Sequence, residues 1–211
     1  MTQSTEARGR RDDGDPRSTS TVDLLWIPLG AGASLPTVRV SGAIYETITA
    51  AREHRPRLAL YHAALEVETD ARSYVLEMTP AWGPAHQPGA AVAGGPVGTR
   101  ALGRSRLFRY EVHCSPGATI PDREHAVETI RVAEGDDDVA RRVIGLAPYV
   151  PDATWGRDEL HAGEMWNSNS IVAWLLARAG ADVARLAPPA GGRAPGWAAG
   201  LAIATDPPPL R

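Results

Sequence analysis

A histidine in the middle of the chain lies where acid–base chemistry is feasible. His62 begins a strand in which polar and apolar residues alternate, and it lies on the more polar face. If Thr69 and Asp70 form a two-residue hairpin turn, the next strand places Glu77 directly opposite His62. A carboxylate beside an imidazole fixes its tautomer and raises the basicity of the other ring nitrogen, as a general base requires. The alternative is a strand histidine whose hydrogen bond serves only the fold.

A second polar group lies at the predicted start of a helix. Asn167, Ser168, Asn169 and Ser170 precede an apolar run, and two Asn plus two Ser exceed what one helix cap requires. Ser168 falls on the same face of the predicted helix as the apolar Leu175, so its side chain should point toward the element on which the helix packs. Ser170 falls on a different face. A hydroxyl at the positive end of a helix, facing a sheet that carries a histidine, can be activated as a nucleophile. The alternative is that these residues only cap the helix.

Together these segments resemble the circularly permuted papain-like superfamily, which includes lecithin retinol acyltransferase-type proteins. The resemblance is carried by His-Ala-Ala-Leu-Glu-Val from His62, Tyr-Val-Leu-Glu-Met from Tyr74 and the later Asn-Ser-x-x-Ile-Val helix start. It implies that His62 is the base and Glu77 the orienting residue. It also implies that Asn167 matches the family's Asn and that Ser168 occupies the position of its nucleophilic Cys. The Lys-free composition is similar to that of a small uncharacterised family of actinobacterial-type proteins.

The resemblance implies a hydrolase or acyl-transfer enzyme that acts on an amide or ester without a cofactor. The chain departs from the family at Ser168, because a serine hydroxyl is far less ionised than a thiol and depends more on its base. A second hypothesis therefore stays open, namely an inactive relative that binds a ligand or a protein partner in the same cleft. The candidate binding residues are Trp166, Asn167 and Asn169, and the ligand or substrate is expected to be a small molecule or peptide-like.

The elements that must position these residues are predicted from periodicity and turn signals. Strands are predicted at residues 22–29, 38–40, 58–68, 73–79, 106–113 and 198–204. Helices are predicted at residues 44–55, 139–146 and 168–180, and a long surface loop at 83–98. The sum predicts an α+β fold with a mostly antiparallel sheet packed against a few helices, to which the resemblance adds a permuted papain-like arrangement.

The length of 211 residues predicts one folded domain, since domains commonly have about 100–200 residues. Residues 1–20 contain no Ile, Leu, Val or aromatic residue and are predicted to be a disordered arm. The α+β domain is expected at residues 21–205, and a flexible tail at 206–211.

Composition excludes several classes of function. The 22 basic residues are all Arg, and 25 acidic residues give a formal charge of −3, which argues against a nucleic-acid partner. The single cysteine, Cys114, excludes an intramolecular disulfide and a thiolate metal cluster. No metal site and no cofactor are predicted. Cys114 is expected to be an ordinary small residue, although His113 beside it leaves a reactive thiol open.

No apolar run reaches the about 18–20 residues of a membrane span, so none is predicted. A cytoplasmic location is favoured. The alternative is that residues 24–33 act as a secretion signal. The nearby Asp residues and Pro28 argue against that alternative.

Overall fold

The computed structural model describes residues 19–31, 46–47, 49–82, 91–120 and 122–205. Its centre is a mostly antiparallel sheet of seven strands, β1 (Thr21–Pro28), β2 (Ala59–Glu68), β3 (Ser73–Pro80), β4 (Ala91–Pro96), β5 (Arg109–Pro116), β6 (Glu128–Glu134) and β7 (Gly192–Arg193). Their order is β4-β5-β3-β2-β1-β6, and the short β7 pairs with β2 in parallel. Together with the helices, this sheet confirms the predicted α+β fold class.

Among the described residues, the α-helices with complete bounds that pack with this sheet are α1 (Asp137–Leu146), α2 (Ser168–Ala179) and α3 (Trp197–Ala204). Asp136 caps α1 by accepting a hydrogen bond from the Val139 N–H at 3.0 Å. Gly180 ends α2 with a φ of 84°, a left-handed conformation that glycine adopts without steric cost. The predictions of α1 and α2 are therefore confirmed.

The two faces of the sheet differ in what covers them. Leu65 and Val67 of β2 belong to the larger core cluster, which also contains Leu175 and Leu176 of α2. Ala64, one residue out of phase, belongs to a smaller cluster on the other face with Leu25, Ile27, Val75 and Ile120. Helix α2 thus packs on the face opposite to the one that carries Ala64, as the apolar stripe of the helix predicts.

The segment predicted as a last strand, residues 198–204, is instead part of helix α3. Its sequence is rich in Ala, the residue with the highest helix propensity, and lacks the polar–apolar alternation of a half-buried strand. Gly200 lets α3 pack closely on α2, because a Cβ there would lie 2.1 Å from the backbone oxygen of Ser170. The prediction of a strand was wrong because tertiary packing was not visible in the local pattern.

Other boundaries also differ from the predictions. Strand β4 (Ala91–Pro96) lies inside the segment predicted as a loop, and β6 (Glu128–Glu134) was not predicted. Residues 106–108 form a 3-10 turn, so β5 begins only at Arg109. The predicted strand at 38–40 lies outside the described residues, as do residues 1–18 and 206–211 of the predicted arm and tail.

The last two residues of the predicted arm belong to the folded body. The Thr19 N–H and hydroxyl both donate to Asp70 at 2.9 Å, and the buried Ser20 hydroxyl donates to Asp137 at 2.8 Å. Among the helices of the described part of the chain, none is long and apolar enough to cross a membrane.

Candidate functional site

A cleft opens where β2 and β3 separate. These strands pair only from Leu65–Leu76 to Glu68–Ser73, next to their connecting turn. Beyond that point β2 continues along β1 and β3 continues along β5, so no strand fills the gap between them. The resulting cavity has a volume of about 610 Å³ and is lined mainly by apolar side chains. Its polar lining residues include His62, Glu77, Thr79, Arg109, Asp122 and Ser168.

The side chain that contacts the His62 imidazole is Asp122. Its Oδ2 lies 3.0 Å from Nε2 of His62, and both side chains are about four-fifths buried, with 23% and 21% exposed. Burial acts to raise the pKa of Asp122, but the hydrogen bond and the charge of His62 outweigh it and hold that pKa below its ordinary value. The aspartate is therefore charged at neutral pH and fixes the imidazole through Nε2.

The prediction that Glu77 lies directly opposite His62 is wrong. The loop between the strands has four residues, because the Thr69 N–H donates to the Arg72 carbonyl at 2.9 Å and Glu68 pairs with Ser73. The pairing is thereby shifted by two residues from the predicted register, which leaves each side chain on its predicted face. Glu77 still lines the cleft that His62 lines, and its backbone partner on β5 is His113.

The start of α2 is held by a capping box. The Asn167 side chain accepts hydrogen bonds from the N–H groups of Asn169 and Ser170 at 2.9 and 3.3 Å. In return, the Ser170 hydroxyl accepts from the Asn167 N–H at 3.1 Å, and its proton is directed to the Met165 carbonyl. Asn167 and Ser170 are buried, so their polar groups serve the helix terminus rather than the cleft.

Asn169 joins α2 to the edge of β2 that faces the gap. Its side-chain oxygen accepts from the Ala63 N–H at 2.8 Å, and its amide donates to the Tyr61 carbonyl at 3.1 Å. In a parallel sheet, the residue opposite His62 would accept from the Ala63 N–H and donate to the Tyr61 carbonyl through its backbone. The Asn169 side chain makes these two hydrogen bonds instead, and so takes the place of a neighbouring strand. The amide also donates to the Pro195 carbonyl at 3.0 Å, which fixes the chain before α3.

Ser168 is the residue of this helix start that faces the cleft. It is partly exposed and lines the cavity together with Ala63, Glu77 and Met78. Within the described part of the chain, neither its hydroxyl nor its N–H forms a hydrogen bond, whereas the capping groups of Asn167, Asn169 and Ser170 do. The candidate nucleophile thus has a hydroxyl and a backbone donor at the positive end of α2.

The three predicted binding residues are placed behind the cleft surface. Trp166, Asn167 and Asn169 are 2%, 8% and 3% exposed and are absent from the cavity lining within the described residues. Trp166 packs in the larger core cluster. Their role in the described structure is to fix the start of α2 and its distance from β2, which is how they act on Ser168.

Cys114 lies on β5 in the apolar part of the structure, outside the cleft lining. Burial raises the pKa of its thiol to about 11, so little thiolate forms near neutral pH. The neighbouring His113 is buried, with Nε2 3.3 Å from a carboxylate oxygen of Glu111. Cys114 therefore has the surroundings of the ordinary small residue that was predicted.

Sequence reasoning missed Asp122 and Arg109. Asp122 lies between β5 and β6 in a segment without periodicity, and its sequence distance from His62 is 60 residues. Arg109 was taken as one residue of an alternating strand, and only the fold brings it to the cleft. Among the described residues, no group of three or more His, Cys, Asp or Glu side chains is arranged to hold a metal ion.

Comparison of the chain with models of known protein families, with curated proteins and with solved structures found no match. The site must therefore be interpreted from its own geometry.

Proposed function

We propose that the protein is a hydrolase or acyltransferase that acts on an amide or ester through Ser168. The observation that supports this most strongly is one cleft lined by both Ser168, at the N-terminus of α2, and His62, held by Asp122. In this proposal Asp122 takes the orienting role that the sequence assigned to Glu77. The substrate is a small molecule or peptide-like, and no cofactor takes part.

In the first half of the reaction the Ser168 oxygen attacks the carbonyl carbon of the substrate. His62 takes the hydroxyl proton on Nδ1, the nitrogen that Asp122 does not contact, and then gives it to the leaving amine or alcohol. The bond from the carbonyl carbon to the leaving group breaks, and an acyl-serine ester remains.

In the second half, water or another acceptor attacks the ester carbonyl. His62 takes the proton of the attacking group and returns it to the Ser168 oxygen as the ester bond breaks. Because the cap of α2 engages the N–H groups of Asn169 and Ser170, the Ser168 N–H is left to donate to the oxyanion that forms in each half.

A second candidate function is ligand binding without catalysis. It is favoured because Ser168 and His62 are not hydrogen-bonded to each other in the described structure, and by the position of His62 on β2. His62 lies in phase with Ala64, on the face of β2 away from the face on which α2 packs. For either function we propose a cytoplasmic location, since a single cysteine suits a reducing compartment.

A serine-reactive fluorophosphonate distinguishes the two functions. We expect one equivalent of label on the wild-type protein, located by mass spectrometry at Ser168. The label should be lost in Ser168→Ala and reduced about 100-fold in rate in His62→Ala, the usual contribution of a general base. Ser73→Ala, an exposed serine at the start of β3, is the matched control and should label normally. Folded wild-type protein that takes no label contradicts the catalytic proposal and leaves the binding cleft.

A further inference from the structure

A second, smaller depression lies beside the cleft. It has a volume of about 220 Å³ and lies between β4, the start of β5 and the 3-10 turn at Arg100–Arg104. Its side-chain lining is dominated by charge: Arg100, Arg104, Arg109 and Asp152. Glycines form much of the rest, so backbone rather than side chains makes its floor. Arg109 lines both this depression and the cleft that contains Ser168.

The positive charge in this depression is only partly neutralised. Arg100 forms an ion pair with Glu159 and lies 3.8 Å from Asp152. Arg104 and Arg109 have no carboxylate partner among the described residues. Three guanidinium groups therefore stand against two carboxylates, which leaves a net charge of +1 at the boundary with the cleft.

The guanidinium of Arg109 is held in place without losing its capacity to bind an anion. Its Nη1 donates to the Gly103 carbonyl at 3.1 Å, an interaction that fixes the group and leaves Nε and Nη2 with N–H donors. Arg109 is partly buried, whereas Arg104 is exposed at the rim. A fixed guanidinium and an adjustable one around a depression of this size suit a carboxylate or phosphate group, which arginine binds with paired N–H donors.

The cleft also offers apolar surface to a ligand. Trp82 and Leu107 line it and are 50% and 65% exposed, so apolar surface is available to a ligand at its mouth. We infer that Arg104 and Arg109 bind an oxyanion, a carboxylate or phosphate, carried by the same small molecule whose apolar acyl part lies against Trp82 and Leu107. The anion site stands on its own residues, while the link to an acyl substrate rests on the proposed function.

Titration with sodium phosphate and with sodium succinate, at constant ionic strength set by sodium chloride, tests the anion site. The Nε–H resonances of Arg104 and Arg109 should shift and saturate, in wild-type protein and in Ser168→Ala alike. The Nε–H of Arg185, which is exposed and pairs with Asp182 among the described residues, is the internal control and should not saturate. The two anions distinguish the two kinds of ligand group, since a site for phosphate should bind inorganic phosphate more tightly and a site for carboxylate should bind succinate more tightly.

Substitution ties the shifts to the site. Arg104→Gln, an exposed change that leaves the fold intact, should weaken anion binding about tenfold, the size of one lost charged hydrogen bond. Arg109→Gln should do the same, and Arg185→Gln should have no effect. Shifts that stay linear with concentration, or binding that is equal in Arg104→Gln and wild type, would overturn the anion site.

A pair of esters tests the link to the cleft. p-Nitrophenyl monosuccinate and neutral p-nitrophenyl butyrate differ in one carboxylate, and kcat/KM should favour the anionic ester in wild type and lose about tenfold of that preference in Arg104→Gln. Turnover of both esters without such a preference overturns the link. Anion binding without turnover of either ester contradicts the proposed function and the link, and leaves the anion site standing.

Discussion

The two ends of the β2–β3 hairpin are built from the same strands but satisfy their backbone groups differently. At the turn, from Leu65 to Glu68, each strand uses the other as its hydrogen-bond partner. At the open end β3 keeps β5, whereas β2 is bonded by the side chain of Asn169 and then by β7. The comparison shows how one side chain can keep the N–H and carbonyl groups of a strand edge paired where a cleft opens beside that strand.

The open end should be far more sensitive to a single side chain than the paired end. Asn169→Ala leaves the buried Ala63 N–H and the carbonyls of Tyr61 and Pro195 without this partner. We expect the free energy of unfolding to fall by about 3 kcal/mol, since each buried unsatisfied group costs about 1–3 kcal/mol. Urea denaturation followed by tryptophan fluorescence measures it. A loss of less than about 1 kcal/mol would show that β2 does not need this amide.

The paired end offers the matched substitution at Thr69. Its hydroxyl donates to the Arg72 carbonyl at 2.9 Å in an exposed turn, so water can replace it. Thr69→Ala should lower the free energy of unfolding by only about 1 kcal/mol, and labelling of Ser168 should be unchanged. The same urea denaturation gives the value. A loss as large as that in Asn169→Ala would remove the distinction between the two ends.

The smallest effect is expected from replacing Asp122, whose carboxylate contacts His62 at the open end of the hairpin. Because the pKa of Asp122 is lowered in the folded protein, its contribution to stability is present above the ordinary aspartate pKa and is lost as pH falls through the folded value. Wild type should therefore lose about 0.5 kcal/mol more than Asp122→Asn between pH 6 and pH 3. Parallel urea titrations at the two pH values measure the difference. Equal losses in the two proteins would mean that His62 does not hold the charged carboxylate.

Local sequence patterns were sufficient to predict helices and strands whose apolar residues follow a clear helical or strand period. The apolar periodicity at residues 139–146, the apolar stripe of α2 and the alternation after His62 each predicted the correct element. Helix α3 was mistaken for a strand because its all-apolar sequence shows neither the helical nor the strand period. Its Ala content and the close packing of Gly200 on α2 explain the helix.

The site was predictable only in part. Ser168 and His62 were found because a helix cap and an alternating strand restrict where their side chains point, and both do line one cleft. The carboxylate that contacts His62 was missed, because the length of a hairpin loop decided the register and Asp122 comes from a distant loop. The role of Asn169 as a substitute strand was also not predictable, because it depends on a gap that only the complete sheet defines.

The central claim is that the cleft activates a nucleophile at residue 168, and a thiol placed there tests it most directly. Iodoacetamide at pH 7 should alkylate Ser168→Cys about tenfold faster than Ser73→Cys, an exposed thiol at the start of β3. Cys114, whose pKa of about 11 makes it slow, adds little background to either measurement. Adding His62→Ala should remove most of that difference, while adding Ser73→Ala should not. A thiol at position 168 that reacts no faster than the exposed thiol of Ser73→Cys in the folded protein would contradict the claim.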